Sequence, residues 1–146
     1  MNRRQVIAGA GGVLAAGMAS GLLKNSGVAF AAGEMSLLSE LSLCIERGYT
    51  CEAHCMKELS SGNKDMGKCN IKVNDMLAVC QAMQRLVAYK SDRAKDMAAV
   101  CIKACQDCAD ACEEHKAHWA HKMHLDCKAC FDSCVAVVKA VKKTYG

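Results

Sequence analysis

Cys101-Ile-Lys-Ala-Cys105-Gln-Asp-Cys108-Ala-Asp-Ala-Cys112-Glu-Glu-His115 is the stretch whose reading decides the fold, and it is echoed by Cys127-Lys-Ala-Cys130-Phe-Asp-Ser-Cys134. Its cysteines recur at separations of 4, 3 and 4. Positions three and four apart share one face of an α-helix, whereas a strand would throw alternate residues to opposite faces. Apart from Ile102, the residues between these cysteines are alanine, lysine, glutamine and aspartate, as expected of a solvated helix back. The spacing therefore predicts two helices, each presenting a stripe of thiols.

Working outward, the same periodicity recurs twice upstream. Leu37, Leu41, Cys44, Gly48, Cys51 and Cys55 form one stripe on a helix expected from about 35 to 59. Ser60-Ser61-Gly62-Asn63 reads as a turn. Cys69, Val73, Met76, Cys80, Met83 and Val87 form a second stripe on a helix from about 64 to 89. Ser91 and Asp92 suit the start of the third helix, whose stripe reads Met97, Cys101, Cys105, Cys108, Cys112, His115. A fourth stripe reads Met123, Cys127, Cys130, Cys134, Val138, Val141, and Lys142 and Lys143 suit its C-terminal dipole. No Gly or Pro separates Ser91 from Gly146, so the last turn is expected near Lys116–Ala120. One uninterrupted helix there would run about 80 Å at 1.5 Å per residue, too long for a compact domain. The expectation is an all-α fold, an antiparallel four-helix bundle with a cysteine-lined core. Composition agrees: there is no proline, and aromatics are 4% of 146 residues.

All twelve cysteines, at 44, 51, 55, 69, 80, 101, 105, 108, 112, 127, 130 and 134, fall on these stripes. Four C-x₃-C pairs stand among them: Cys51–Cys55, Cys101–Cys105, Cys108–Cys112 and Cys130–Cys134. Soft thiolates select Cu(I), and two sulfurs on one helix face can hold one such ion. All twelve are expected as ligands, giving up to about one Cu(I) per thiol if each sulfur bridges. Other readings stay open. Cross-helix disulfides would make a stapled structural bundle, although i, i+4 bridges within a helix have poor geometry. Cys105-x₂-Cys108 with Cys127-x₂-Cys130 fits a four-cysteine zinc pattern, which leaves eight thiols unexplained. An iron–sulfur cluster is a further reading, without the terminal proline of the ferredoxin run. Buried cysteine is also simply a good small core residue, though twelve at core positions are hard to explain so.

Met1–Ala32 differs from the rest. Arg3-Arg4 precedes an uncharged run, residues 5–23, and Ala29-Phe30-Ala31 offers small residues before a cleavage point. This resembles a twin-arginine export signal, with Asn2 in place of the more usual Ser or Thr. Residues 33–146 are then the functional domain, exported to the periplasm and free of membrane once the leader is removed; the other reading is an uncleaved anchor. Setting Arg3, Arg4 and Lys24 aside leaves 16 basic against 15 acidic residues, a balance with no electrostatic footprint for nucleic acid. No Gly-rich phosphate loop, G-x-S-x-G or H-E-x-x-H occurs, so no enzyme is expected.

The stretches 101–115 and 127–134 resemble the bacterial copper storage proteins, with the likeness extending more thinly over the first two helices. That resemblance implies a four-helix bundle whose core cysteines bind many Cu(I) ions, and association into a homo-oligomer, a tetramer. Exported members carry twin-arginine leaders, which fits residues 1–32. It also implies donor and acceptor proteins for copper, with the store supplying a copper enzyme or limiting copper toxicity.

Up-down-up-down topology brings the first and third turns to one end. Met56, Met66, His115, His118, His121, Met123 and His124 gather there. Thioether and imidazole hold copper more weakly than thiolate, so this end is the candidate mouth. The equally simple reading is a solvated turn with packing methionines. Leu37, Leu41, Val87, Val138 and Val141 are expected to plug the other end, and His54 is expected to be exposed beside its stripe.

Overall fold

The computed structural model describes residues 31–120 and 125–146, without the His118 side chain. Four helices account for nearly all of it. They are α1 (Ala32–Ser60), α2 (Gly67–Ala88), α3 (Arg93–Glu113) and α4 (Leu125–Tyr145). Short 3₁₀ turns at Lys64–Met66 and Lys116–His118 lie in the first and third connections.

Several helix ends have a visible cause. At the start of α1, the Ala31 N–H donates to the Glu34 carboxylate at 3.1 Å. That satisfies one of the N–H groups a helix start leaves without a partner, and places a negative charge at the positive end. Gly62 closes α1 at φ 93, a conformation that costs a side-chain-bearing residue about 1 kcal/mol. Asn63 Oδ1 then accepts from the Asp65 N–H at 3.3 Å and starts the 3₁₀ turn. After α2 the reversal falls on Lys90, which takes φ 52 without being glycine. Ser91 does serve the start of α3, with Oγ accepting from the Arg93 N–H at 3.3 Å. The expected turn near Lys116–Ala120 is present as the 3₁₀ turn and its flanks.

The helices form a closed ring: α1 packs on α2, α2 on α3, α3 on α4, and α4 back on α1. Short connections make sequential neighbours antiparallel. The α1–α4 pair runs the same way: Thr144 Oγ1 donates to Gly33 O, so the end of one helix meets the start of the other. The bundle expected from the cysteine spacing is the bundle observed.

Two stripes are shifted from their expected register. On α3, Ala94 and Ala98 are buried below Cys101, and Met97 lies at the edge of the core. On α4, Val137 is fully buried and Val138 is only partly so. Continuing from Cys134 by three residues rather than four keeps the stripe centred, because 3.6 residues per turn drift off any fixed spacing. The apolar plug is therefore Leu37, Leu41, Val87, Val137 and Val141, with the two alanines. Among the described residues no helix is long and apolar enough to cross a membrane. The leader expectation, residues 1–30 in particular, falls outside the described residues.

Candidate metal centre

Every cysteine is a free thiol, and every one is 0% exposed. The sulfurs do not stay sorted by helix. Cys80 and Cys105 approach to 3.5 Å, and Cys108 and Cys130 to 3.7 Å. Cys44 to Cys134, Cys51 to Cys127 and Cys69 to Cys112 are each 3.8 Å, while Cys51 to Cys69 is 3.9 Å. Each of these contacts bridges two helices. The C-x₃-C spacing puts both thiols on the inner face, where Cys51 with Cys55 and Cys130 with Cys134 share donor groups, and facing helices add further close sulfurs.

Mutually close donors fall into four groups. Cys51, Cys55, Cys69 and Cys127 form one of four sulfurs; Cys44, Cys80 and Cys105 form another. Cys51, Cys112 and Cys130 make a third, and Cys108, Cys130 and Cys134 a fourth, with all donors in a group within 4.8 Å. Cys51 and Cys130 each belong to two groups. The Cys44–Cys134 contact joins the second group to the fourth. Cys101 joins electrostatically through Cys105 and Cys80, the two neighbours that lower its pKa. All twelve sulfurs consequently form one connected array along the bundle axis. The zinc quartet read from spacing does not assemble: Cys105, Cys127 and the Cys108–Cys130 pair lie in different groups.

Metal–thiolate bonds of about 2.3 Å put two donors of one ion about 3.8 Å apart in a tetrahedral site, about 4.0 Å in a trigonal site, and at most about 4.6 Å apart in a linear one. The observed 3.5–3.9 Å contacts lie close to the first two values, so small adjustments suffice. A disulfide needs about 2.05 Å, so forming one would pull two helices together.

Burial and hydrogen bonding split the thiols electrostatically. Cys44 is pushed down from the ordinary thiol value by hydrogen bonds from Cys105, then Cys134 and Cys80. Cys69 is pushed down by Cys112 and Cys127, and Cys130 by Cys108 and Cys112. Their partners move the other way. Cys51 is raised chiefly by Cys112 and Cys127, Cys80 by Cys101 and Cys105, and Cys134 by Cys105 and Cys108, with desolvation adding to each. Neighbouring S–H groups can hydrogen-bond a thiolate, which eases its formation inside the core.

The expected mouth is only partly described. Met56 is exposed on α1, and His115 is half-buried where α3 gives way to the 3₁₀ turn. Met66 is buried inside the first turn, at the same end as Cys55 and Cys69. His121, Met123 and His124 lie outside the described residues, as does the His118 side chain. His54, expected to be exposed, is instead 9% exposed, because the inner face of α1 widens around Cys51 and Cys55. Trp119 closes the side of this end, its ring 5.3 Å from Phe131 with Lys128 Nζ 5.9 Å away above it. One sulfur went unassigned in the sequence: Met76 Sδ accepts from Cys44 Sγ at 3.5 Å. The spacing Met76-x₃-Cys80, identical to that of the cysteine pairs, carried that signal.

No curated protein matches the chain. The profile of the copper storage protein family does, over residues 31–140, which span all four helices from the start of α1 to most of α4. A connected, wholly buried array of twelve thiols is the donor set such a role requires, and the chain belongs to the copper storage protein family.

Proposed function

We propose that this protein stores copper as multiple Cu(I) ions on its twelve core cysteines after export, holding them for a copper-requiring partner or away from harmful chemistry. The single observation that carries the reading is the connectivity of the sulfurs: groups of three and four donors that share Cys51 and Cys130. Isolated pairs would hold ions independently. Shared donors let one thiolate bridge two coppers, so each bound ion draws the next site together. Soft thiolate and the absence of hard oxygen donors from these groups favour Cu(I) over harder divalent ions. Cys44, Cys51, Cys55, Cys69, Cys80, Cys101, Cys105, Cys108, Cys112, Cys127, Cys130 and Cys134 are the ligands in this reading. His115, His118, His121, His124, Met56, Met66 and Met123 form the exchangeable mouth. The twin-arginine-like leader supports delivery of a folded, reduced bundle to the periplasm, and the family likeness supports a tetramer.

Copper K-edge X-ray absorption on the anaerobically loaded protein tests the chemistry. The expected spectrum has a Cu(I) edge, a first shell of sulfur, and copper–copper scattering from shared thiolates. A shell dominated by nitrogen or oxygen, or a spectrum without copper–copper scattering, would overturn it. The disulfide-stapled alternative predicts few free thiols and no copper uptake.

A further inference from the structure

The sulfur ladder on α1 is broken at one place. Cys44, Gly48 and Cys51 follow one another on its inner face, and Gly48 offers no side chain. The space is taken from across the interface. A Cβ built on Gly48 would stand 2.8 Å from Met76 Cε and 2.7 Å from Leu77 Cδ2. Met76 lays its methyl on the glycine and its thioether sulfur 3.5 Å from Cys44 Sγ. Cys44 in turn lies 3.8 Å from Cys134 Sγ. Three sulfurs from α2, α1 and α4 therefore meet midway along the bundle, all on fully buried side chains. On α2 the methionine stands four residues before Cys80, the register a cysteine would hold in a C-x₃-C pair.

We propose that Met76 is a thioether ligand to Cu(I), completing a site with the thiolates of Cys44 and Cys134; this rests on the copper-storing reading above. Each of the two thiols binds as a thiolate, and its displaced proton is released to solvent. The thioether binds through a lone pair and loses none. Two thiolates and a neutral donor leave one net negative charge around Cu(I), where three thiolates would leave two. Among the described residues no acidic or basic side chain but His54 is buried, so the smaller charge is the less costly to bury. A leucine would fill the same volume, so the distinguishing property of methionine here is its sulfur.

The test uses selenomethionine-substituted protein loaded with Cu(I), read at the selenium K-edge. A selenium–copper component is expected in the wild type. Its amplitude should fall by one selenium per chain in Met76→Leu and stay unchanged in Met83→Leu, an equally buried control. A chain with Met56, Met66 and Met123 all changed to leucine keeps Met76 and strips methionines from the mouth. The component should persist there, which covers the case of Met76→Leu failing to fold. Identical components in wild type and Met76→Leu would overturn the assignment, as would loss of the component in the triple variant. Bound copper is counted before each spectrum. A wild type that takes up no copper removes the storage reading and this site together. A wild type that fills without selenium–copper scattering removes this site alone.

Discussion

Cys51 is the sulfur the array depends on most. It belongs to two groups at once, sits 3.8 Å from Cys127 and 3.9 Å from Cys69, and is fully buried. Cys51→Ala leaves its first group with three donors and its second with two. Cys101, by contrast, belongs to none of these donor groups. Removing one buried sulfur leaves a small void, so each substitution should cost the apo protein about 1 kcal/mol. For a domain of this size that lowers Tm by about 4 °C, and the two variants should be similar in this respect. Copper separates them. Cys51→Ala should forfeit about two Cu(I) per chain because it opens two shared sites, whereas Cys101→Ala should forfeit about one at most. The assay is an anaerobic titration of each reduced variant against a chromophoric Cu(I) chelator, with thiols counted first. Equal losses would refute the reasoning, because they would mean that the sulfurs act as independent pairs.

Acid should weaken copper binding in a calculable way. Cys51, Cys80 and Cys134 have raised pKa values, are protonated near neutral pH, and must release their protons to bind. Affinity should therefore fall about tenfold per pH unit for each proton displaced, seen as competition titrations at stepped pH. A pH-independent affinity would contradict protonated thiols as the resting donors. Gly48→Leu should destabilise the bundle by about 2 kcal/mol, since overpacking at Met76 and Leu77 outweighs the gain in helix propensity. A thermal melt near the wild-type temperature would refute the close approach of α1 and α2. Lys90→Gly should raise stability by up to about 1 kcal/mol by relieving the left-handed backbone at φ 52, measured by denaturant unfolding. Far-UV circular dichroism should barely change on copper loading, because Leu37, Leu41, Val87, Val137 and Val141 hold an apolar core that needs no metal.

Much of this was legible in the sequence because helical spacing and burial are the same information here. Every residue of the stripes on α1 and α2 is buried, from Leu37 to Cys55 and from Cys69 to Val87, and His54 and Leu77 join them. The cysteines of α3 and α4 match equally well. Reading failed where the stripe leaves the cysteines. Fixed spacing placed Met97 and Val138 on the stripes, yet Ala98 and Val137 are inside, since the helix phase drifts off that spacing. His54 was misplaced for the same reason: it stands three residues after Cys51 and beside Cys55, which brings it to the edge of the buried face of α1. Sulfur pairing across helices was beyond one-dimensional spacing altogether. It depends on the relative height of neighbouring helices, which the turns at Gly62 and Lys90 set. The contact between Met76 and Cys44 belongs to this class, although the gap at Gly48 marks where it had to occur.

The central claim is that the twelve thiols act together as a high-capacity store. Its most direct test is the number of Cu(I) ions that the fully reduced protein holds against a strong chelator, with all twelve thiols confirmed free beforehand. The account predicts about ten or more per chain, bound without change in helicity. One or two per chain would make the protein a carrier with a single site, and none despite free thiols would contradict storage outright.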